Sequence, residues 1–354
     1  MDSQPQRRGS GVCVATVMNK KTEPVLLVEV TRGEAVESRH FGSAVIADTS
    51  GVRWSVGDPE GAVFPRSTSK PVQALALIES GAADRFDVSD EEVALACASH
   101  SGAPEHVELV AAWLKRLELS AGHLCCGTHW PMNEREARLL AGRGETPTPL
   151  HNNCSGKHTG FLTTALHLGE PLEEYVARSH PTQRRWMTAL EDLADISLSS
   201  VPVGIDGCSI PSPAIPLAKL ARVYARFANR EGIHGVRAAA MARIEQAMCA
   251  HPRLVAGEGR LCTRVMMATE GRVLVKVGAD GVFAAWIPEI GVGLALKISD
   301  GALRASSVAI VGLIRRALGP QHALYAALEP LTWHREVTCR GAPSGVVRLT
   351  SALA

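Results

Sequence analysis

The most constraining feature of this sequence is that strand-like segments lie at both ends of the chain, with helical patterns between them. Residues 24–31 and 41–47 are rich in β-branched side chains, and residues 273–277, 282–287 and 291–298 have the same character near the other end. Between the two groups, apolar side chains recur at helical spacing. The pattern predicts a sheet built from both ends of the chain and covered by helices, which is a layered fold of the α/β or α+β class. The predicted helices cover residues 71–83, 104–119, 160–169, 184–194, 213–227 and 302–318.

The size and charge of the chain narrow its functional class. With 354 residues, 46% of them hydrophobic, the chain can bury a large core, and we expect residues 1–354 to form a single domain or two tightly packed subdomains. The net charge is only +1, no run of basic residues is present, and aromatic residues make up 4% of the chain. These properties argue against a nucleic-acid partner, because such partners need basic patches and stacking surfaces.

The sequence predicts no membrane partner and a cytoplasmic location. Residues 1–10 are polar and are expected to be flexible, and the apolar stretch over residues 12–18 is too short for export. No run of about 18 apolar residues is present, which is the length that a membrane-spanning helix needs. The nine cysteines have no regular spacing and form no Cys-x-x-Cys pair, so free, mostly buried thiols are expected.

Ser67 and Lys70 are the first candidates for chemistry, because an i, i+3 spacing places both on one face of a helical turn. A neutral lysine at this spacing can take the proton of the serine and convert a weak nucleophile into a strong one. Burial and the positive end of the helix would both lower the pKa of the lysine. The alternative is a capping serine followed by an exposed lysine, and the spacing alone does not decide between the two.

A second polar segment, residues 98–102 (Ala-Ser-His-Ser-Gly), lies between an apolar segment and the predicted helix over 104–119. Its hydroxyl groups, including that of Ser99, suit substrate binding or catalysis. An ordinary helix cap and turn is the competing interpretation.

Two further segments place cysteines beside polar residues. Residues 151–158 precede an apolar helix and put Cys154 and Lys157 at i, i+3, while residues 204–209 carry Cys208 after an extended stretch. Thiolates are ligands that zinc prefers, so the two cysteines could meet around one metal ion. The alternative is a buried structural cysteine in each segment, because spacing cannot show that the two meet.

Taken together, the four segments resemble the rhizobial-type, or class 3, L-asparaginase family, and both their order and their spacing fit. The likeness runs over roughly residues 24 to 305. The resemblance implies a mixed β-sheet flanked by helices on both sides, similar to the fold of serine β-lactamases, penicillin-binding proteins and serine glutaminases, and a homodimer. The matching segments are residues 66–74, 98–102, 152–161 and 204–208, with shorter matches at 24–29, 31–33, 36–38, 251–252, 257–260, 276 and 300–301.

The resemblance assigns catalytic roles to four residues. Ser67 with Lys70 matches the family's first Ser-Lys tandem, the expected nucleophile and its base. Ser99 with Lys276 matches the second tandem, which is expected to lie close to the first and to support proton transfer.

The resemblance also implies a zinc site held by Cys154, Lys157 and Cys208, in which a lysine amine is one of the ligands. A lysine binds a metal only when neutral, so such a site would be sensitive to pH. His158 and Asp206 flank these ligands and are expected to orient the amino or carboxylate group of the substrate.

The expected activity is hydrolysis of the side-chain amide of L-asparagine to L-aspartate and ammonia through an acyl-enzyme. The nearest alternatives are a serine glutaminase or a β-lactamase-like hydrolase that shares the Ser-x-x-Lys pair. Neither of these chemistries needs the two cysteine segments. An alternative of another class is a non-catalytic zinc-binding protein with the same fold, but four polar segments at the ends of apolar elements are hard to explain in such a protein.

Overall fold

The computed structural model describes residues 23–353, so the expected flexibility of residues 1–10 lies outside the described part. Within it, twelve strands and thirteen α-helices follow one another along the chain. The strands are β1 (Val25–Arg32), β2 (Ala35–Ala47), β3 (Val52–Val56), β4 (Ala62–Val63), β5 (Val203–Ile205), β6 (Pro211–Pro213), β7 (Ile215–Pro216), β8 (Leu274–Val277), β9 (Val282–Ile287), β10 (Val292–Ile298), β11 (Trp333–Val337) and β12 (Pro343–Leu349). The helices are α1 (Lys70–Glu79), α2 (Ala82–Arg85), α3 (Asp90–Ala96), α4 (Pro104–Arg116), α5 (Glu134–Gly142), α6 (Ser155–Leu168), α7 (Pro181–Ala194), α8 (Leu217–Ala228), α9 (Gly235–Ala250), α10 (Pro252–Val255), α11 (Leu261–Ala268), α12 (Leu303–Leu318) and α13 (Leu324–Ala327).

Strands from both ends of the chain form the main sheet, as the sequence predicts. The strand order is β11-β12-β1-β2-β10-β9-β8, and β3 also pairs with β2. Every pair in this sheet is antiparallel, so the expectation of a mixed sheet is wrong in this detail. The physical reason is that short connections join β1 to β2, β8 to β9, β9 to β10 and β11 to β12, and a short connection can only reverse the chain.

Helices cover both faces of the sheet, which confirms the predicted α/β (α+β) class. Helices α8 and α12 both pack against β2, β9 and β10, and every residue of β9 is buried. Helix α1 packs against α6, α7 and α9, and α3 packs against α6 and α9, so these helices form a further layer that reaches the sheet through α8. The buried apolar side chains of sheet and helices form one continuous core.

The close packing of α8 on the sheet holds the turn before α1 in place. The hydroxyl of Tyr224 on α8 donates a hydrogen bond to the carbonyl oxygen of Thr68, and its ring stacks on that of Trp286 with centroids 4.8 Å apart. The turn between β8 and β9 lies against the same segment, because a Cβ added at Gly278 would lie 2.9 Å from the carbonyl oxygen of Pro65. The segment before α1 and the turn after β8 therefore meet.

No helix in the described part of the chain is both long enough and apolar enough to cross a membrane.

Substitution of Gly293 tests the close contact between α8 and the sheet. A Cβ at this position would lie 2.1 Å from the backbone nitrogen of Ala225 and 2.2 Å from the carbonyl oxygen of Ala221. Gly293→Ala should therefore lower the free energy of unfolding by about 3 kcal/mol, the upper end for overpacking. Gly142→Ala is the matched control, because nothing lies within 4 Å of its added Cβ. Chemical denaturation would contradict this packing if the two variants were equally stable.

Candidate active site

Ser67 and Ser99 line the same cavity, which has a volume of about 170 Å³. Asn153, Arg260 and Asp280 contribute the other polar side chains to its wall. A larger groove of about 660 Å³ lies beside α7, but the side chains around it include no buried lysine beside a serine. The smaller cavity is therefore the candidate active site. Its wall is completed by Met132, Val277, Gly278, Ala279, Gly281, Gly301 and Leu303.

Ser67 belongs to a short 3-10 turn, Arg66–Ser69, which leads into α1. Arg66 has a left-handed backbone with φ of 51°, which is unusual for a residue with a side chain. Its guanidinium bonds Asp206 at 2.9–3.0 Å and also pairs with Asp280, so two loops hold the turn. The hydroxyl of Ser67 is half-buried and makes no hydrogen bond within residues 23–353, which leaves it free to meet a ligand in the cavity.

Ser99 is bonded to two buried lysines at once. Lys276 Nζ lies 2.7 Å from Ser99 Oγ, and Lys70 Nζ lies 3.0 Å from the same atom. Lys70 also donates to the carbonyl oxygens of Ala98 and, at 3.2 Å, Asn153, so its three N–H groups have three acceptors. The structure therefore places Lys70 of the first tandem beside Ser99 and Lys276 of the second. The hydrogen bonds of Lys70, however, go to Ser99 and backbone oxygens and not to Ser67.

Burial and a neighbouring charge make Lys276 a proton acceptor near neutral pH. Its side chain is fully buried, and burial together with the nearby charge of Lys70 lowers its pKa to about 7. A lysine with this pKa is largely neutral slightly above neutral pH. It can then accept a proton from the hydroxyl of Ser99, which it already contacts.

The three predicted zinc ligands lie side by side. Lys157 Nζ is 2.9 Å from Cys208 Sγ, and the thiol of Cys154, which donates to Oδ1 of Asn153 at 3.1 Å, lies close enough to both to affect their pKa values. All three side chains are buried. The helix start at Ser155 positions Cys154 and Lys157, and the loop between β5 and β6 supplies Cys208.

The donor chemistry of this cluster fits a zinc ion. The hydrogen bond from Cys208, together with the charges of Lys70 and Lys157, overcomes burial and lowers the pKa of Cys154 well below the ordinary thiol value. Burial opposes protonation of Lys157, but the two sulfurs outweigh it and raise its pKa. A zinc ion bound here would therefore have to displace a proton from this lysine. In residues 23–353 no group of three His, Cys, Asp or Glu side chains is placed to hold a metal ion. The cluster described here has two cysteines, and its third ligand would be the lysine.

His158 and Asp206 lie apart from the cavity wall. His158 is fully buried, and its Nδ1 lies 2.6 Å from the hydroxyl of Tyr175, which in turn accepts the N–H of Cys125. Burial, followed by the charge of Lys157, lowers the pKa of His158 well below its usual value. Asp206 is ion-paired with Arg66, which outweighs the effect of its burial and lowers its pKa. Their substrate-orienting roles stay predictions, and the contact seen for Asp206 is with the turn that carries Ser67.

The structure adds cavity residues to which the sequence gave no role. Arg260, Asn153, Asp280 and Met132 all line the cavity. Arg260 and Asn153 stand within segments that match the family, but nothing in their spacing indicates that they face the same space as Ser67. Only the fold brings the residues before α11, before α6 and after β8 together.

This geometry places a serine hydroxyl between two buried lysines at the wall of a small cavity, an arrangement of hydroxyl and amine groups that suits nucleophilic attack on a carbonyl. The family comparison identifies the class of protein to which the chain belongs. The family model described as L-asparaginase II matches residues 28–349, so the chain belongs to the L-asparaginase II family of amide hydrolases. A search of curated proteins gives no match.

Among solved structures, similar chains include a β-lactamase from Mycobacterium bovis, with 13% identity, a TM-score of 0.38, and coverage of 75% of this chain and 89% of that one. A D-alanine carboxypeptidase from Burkholderia cenocepacia has 10% identity and a TM-score of 0.37, covering 75% of this chain and 90% of that chain. Because both TM-scores are below 0.5, no conclusion about this chain's chemistry follows from them.

Lys276→Met should raise the melting temperature, and the gain should be largest at low pH. In the folded protein Lys276 holds its proton only below about pH 7, whereas an unfolded lysine holds it to about pH 10.4. Between these values the unfolded state binds more protons, so wild-type stability rises with pH by up to about 1.4 kcal/mol per pH unit. The advantage of the variant should therefore shrink from about pH 7 to about pH 9.

Differential scanning fluorimetry across this pH range measures the effect, and Lys115→Met on the exposed side of α4 is the control for loss of a surface charge. A constant difference between Lys276→Met and wild type over this range would contradict the burial of an ionisable Lys276.

Proposed function

We propose that the protein hydrolyses the side-chain amide of L-asparagine to L-aspartate and ammonia through an ester formed on an active-site serine. The observation that carries this proposal is the contact of Ser99 Oγ with both Lys70 and Lys276, beside the free hydroxyl of Ser67. A serine needs a neighbouring base to attack an amide, and lysines in this setting can serve. The family match supports an amide as the substrate class.

In the proposed first half-reaction, Ser67 Oγ attacks the amide carbon and its proton enters the network of Lys70, Ser99 and Lys276. Lys276 is the acceptor in this network, because its pKa of about 7 leaves it neutral above that pH. The proton then passes to the amide nitrogen, the C–N bond breaks and ammonia leaves. In the second half-reaction, water attacks the ester, its proton returns through the network, and L-aspartate leaves with Ser67 restored.

Ser99 is the second candidate nucleophile, and a specific observation favours it. Its hydroxyl is the one in direct contact with both lysines, whereas none of the lysine hydrogen bonds reaches Ser67. Ser67 remains our first assignment because its hydroxyl is not engaged and can turn toward a substrate in the cavity. Ser99 would then act between the two lysines as a proton carrier.

Cys154, Lys157 and Cys208 would hold a zinc ion beside the cavity. A bound zinc would supply positive charge that orients a polar group of the substrate or polarises its carbonyl. In the described part of the chain, Asp206 links this cluster to the serine turn, because it bonds Arg66 and lies two residues from Cys208. A homodimer and a cytoplasmic location also belong to this proposal, and both rest on the family resemblance and composition.

Ser67→Ala should abolish ammonia release from L-asparagine, with a loss of about 10⁴-fold or more in kcat, as for other serine nucleophiles. Ammonia release from L-asparagine and L-glutamine, measured side by side with wild type, tests both the nucleophile and the substrate. Ser69→Ala is the matched control, because Ser69 lies in the same turn but its hydroxyl donates to the carbonyl oxygen of Arg66 at 2.7 Å. This control should retain turnover.

Two outcomes would contradict the proposal. Appreciable turnover by Ser67→Ala would remove Ser67 from the nucleophile's role. Ammonia release by wild type from L-glutamine and not from L-asparagine would show that L-glutamine is the substrate and that the protein is a glutaminase.

Wild type should bind about one zinc ion per chain, and Cys208→Ala should weaken binding by more than about 100-fold, the upper range for outer-shell partners. Binding should tighten as pH rises, because Lys157 and the thiols must lose protons. Titration with a competing chelator at several pH values measures both effects. Cys249→Ala is the control, because its thiol is bonded to the carbonyl oxygen of Gly271 away from the cluster. Equal zinc affinity in the two variants would rule out the cluster.

A further inference from the structure

Arg260 presents a guanidinium to the candidate active-site cavity without a carboxylate partner. Among residues 23–353 it takes part in no salt bridge, and its one side-chain contact is to the sulfur of Met132 at 3.7 Å, a weak acceptor. The nearest acidic residue in sequence, Glu258, pairs instead with Arg253. Most other half-buried arginines in the described part of the chain have acidic partners, for example Arg237 with Glu79, while Arg226 donates to the backbone carbonyl of Asp192. A half-buried guanidinium without an anion is therefore unusual in this protein.

Basic side chains outnumber free acidic side chains around the cavity, so an anion can bind there. Arg260 lies in the wall and Lys70 lies behind Ser99, so two basic side chains border the space besides Lys276, which is neutral above about pH 7. The one acidic side chain of the wall, Asp280, is bonded to Arg66. A guanidinium has its donors in a fork that matches a carboxylate, and such charge-assisted pairs are among the stronger hydrogen bonds in proteins.

We propose that Arg260 binds the α-carboxylate of the substrate and thereby selects amides that carry a carboxylate two carbons from the amide carbon. This inference rests on the proposed function of the same cavity and names its substrate class. When the carboxylate binds, the weak contact between Arg260 and the sulfur of Met132 is replaced by charge-assisted hydrogen bonds. Met132 is about half exposed, so its side chain has space to move away.

The proposal predicts which group of L-asparagine matters most for binding. Succinamate keeps the carboxylate and lacks the amino group, whereas 3-aminopropanamide keeps the amino group and lacks the carboxylate. Succinamate should therefore bind to wild type and 3-aminopropanamide should bind poorly. Arg260→Gln keeps a polar side chain but shortens it and removes the charge, so it should weaken the binding of succinamate more than that of 3-aminopropanamide.

Arg260→Gln should weaken succinamate binding and raise the KM for L-asparagine by about 10- to 100-fold, the usual range for losing a hydrogen bond to a charged group. Binding of 3-aminopropanamide should change by less than about threefold. Calorimetric titration with each compound and steady-state kinetics with L-asparagine measure these effects. Arg260→Lys, which keeps the charge without the fork, should lie between wild type and Arg260→Gln. Arg253→Gln is the control, because this exposed arginine pairs with Glu258 outside the cavity.

An equal loss for succinamate and 3-aminopropanamide would overturn the proposal, since it would indicate a structural role for Arg260. Unchanged succinamate binding in Arg260→Gln, or a similar loss in Arg253→Gln, would overturn it as well. Succinamate binding that depends on Arg260 in a protein that releases no ammonia from L-asparagine would support the carboxylate site and reject the proposed hydrolysis. The two ideas can therefore fail separately.

Discussion

Two buried lysines, Lys70 and Lys276, share the hydroxyl of Ser99, and the rest of the site depends on this contact. Bringing two ammonium groups out of water into one buried cluster costs several kcal/mol, so one of them must be able to lose its proton. The structure meets this condition by giving Lys70 three hydrogen-bond acceptors and by lowering the pKa of Lys276 to about 7. The burial of two lysines together lowers the stability of the folded protein, and it also supplies a proton acceptor beside a serine.

Much of the fold can be predicted from the sequence because several elements have strong periodic patterns. The strands that became β1, β9 and β10 and the long helix α12 were predicted within one or two residues of their bounds. The prediction does not include helix α9, because alanines on all sides of this helix obscure the apolar stripe of Met241, Ile244 and Met248. The C-terminal strand β11 was missed because it is an edge strand with mostly exposed side chains, so no alternation is present.

The candidate site could be predicted as a set of residues but not as an arrangement. The spacing of Ser67 and Lys70 indicates one Ser-Lys pair, the family resemblance implies a second one of Ser99 and Lys276, and the cavity brings these segments together. Sequence spacing could not show that Lys70 bonds Ser99, because that contact joins α1 to the segment after α3 through tertiary packing. The role of Arg260 was hidden for the same reason, since the lack of an acidic partner is visible only in three dimensions.

The most direct test of the central claim is to look for the ester on the active-site serine. Protein mixed with L-asparagine is quenched in acid during the first turnovers, and the adduct is located by mass spectrometry of its peptides. The account predicts an aspartyl group on Ser67, absent from Ser67→Ala. An aspartyl group on Ser99 would move the nucleophile to the other serine of the lysine network. Ammonia release by wild type without an adduct on either serine, even under conditions that slow hydrolysis of esters, would contradict covalent catalysis at this site.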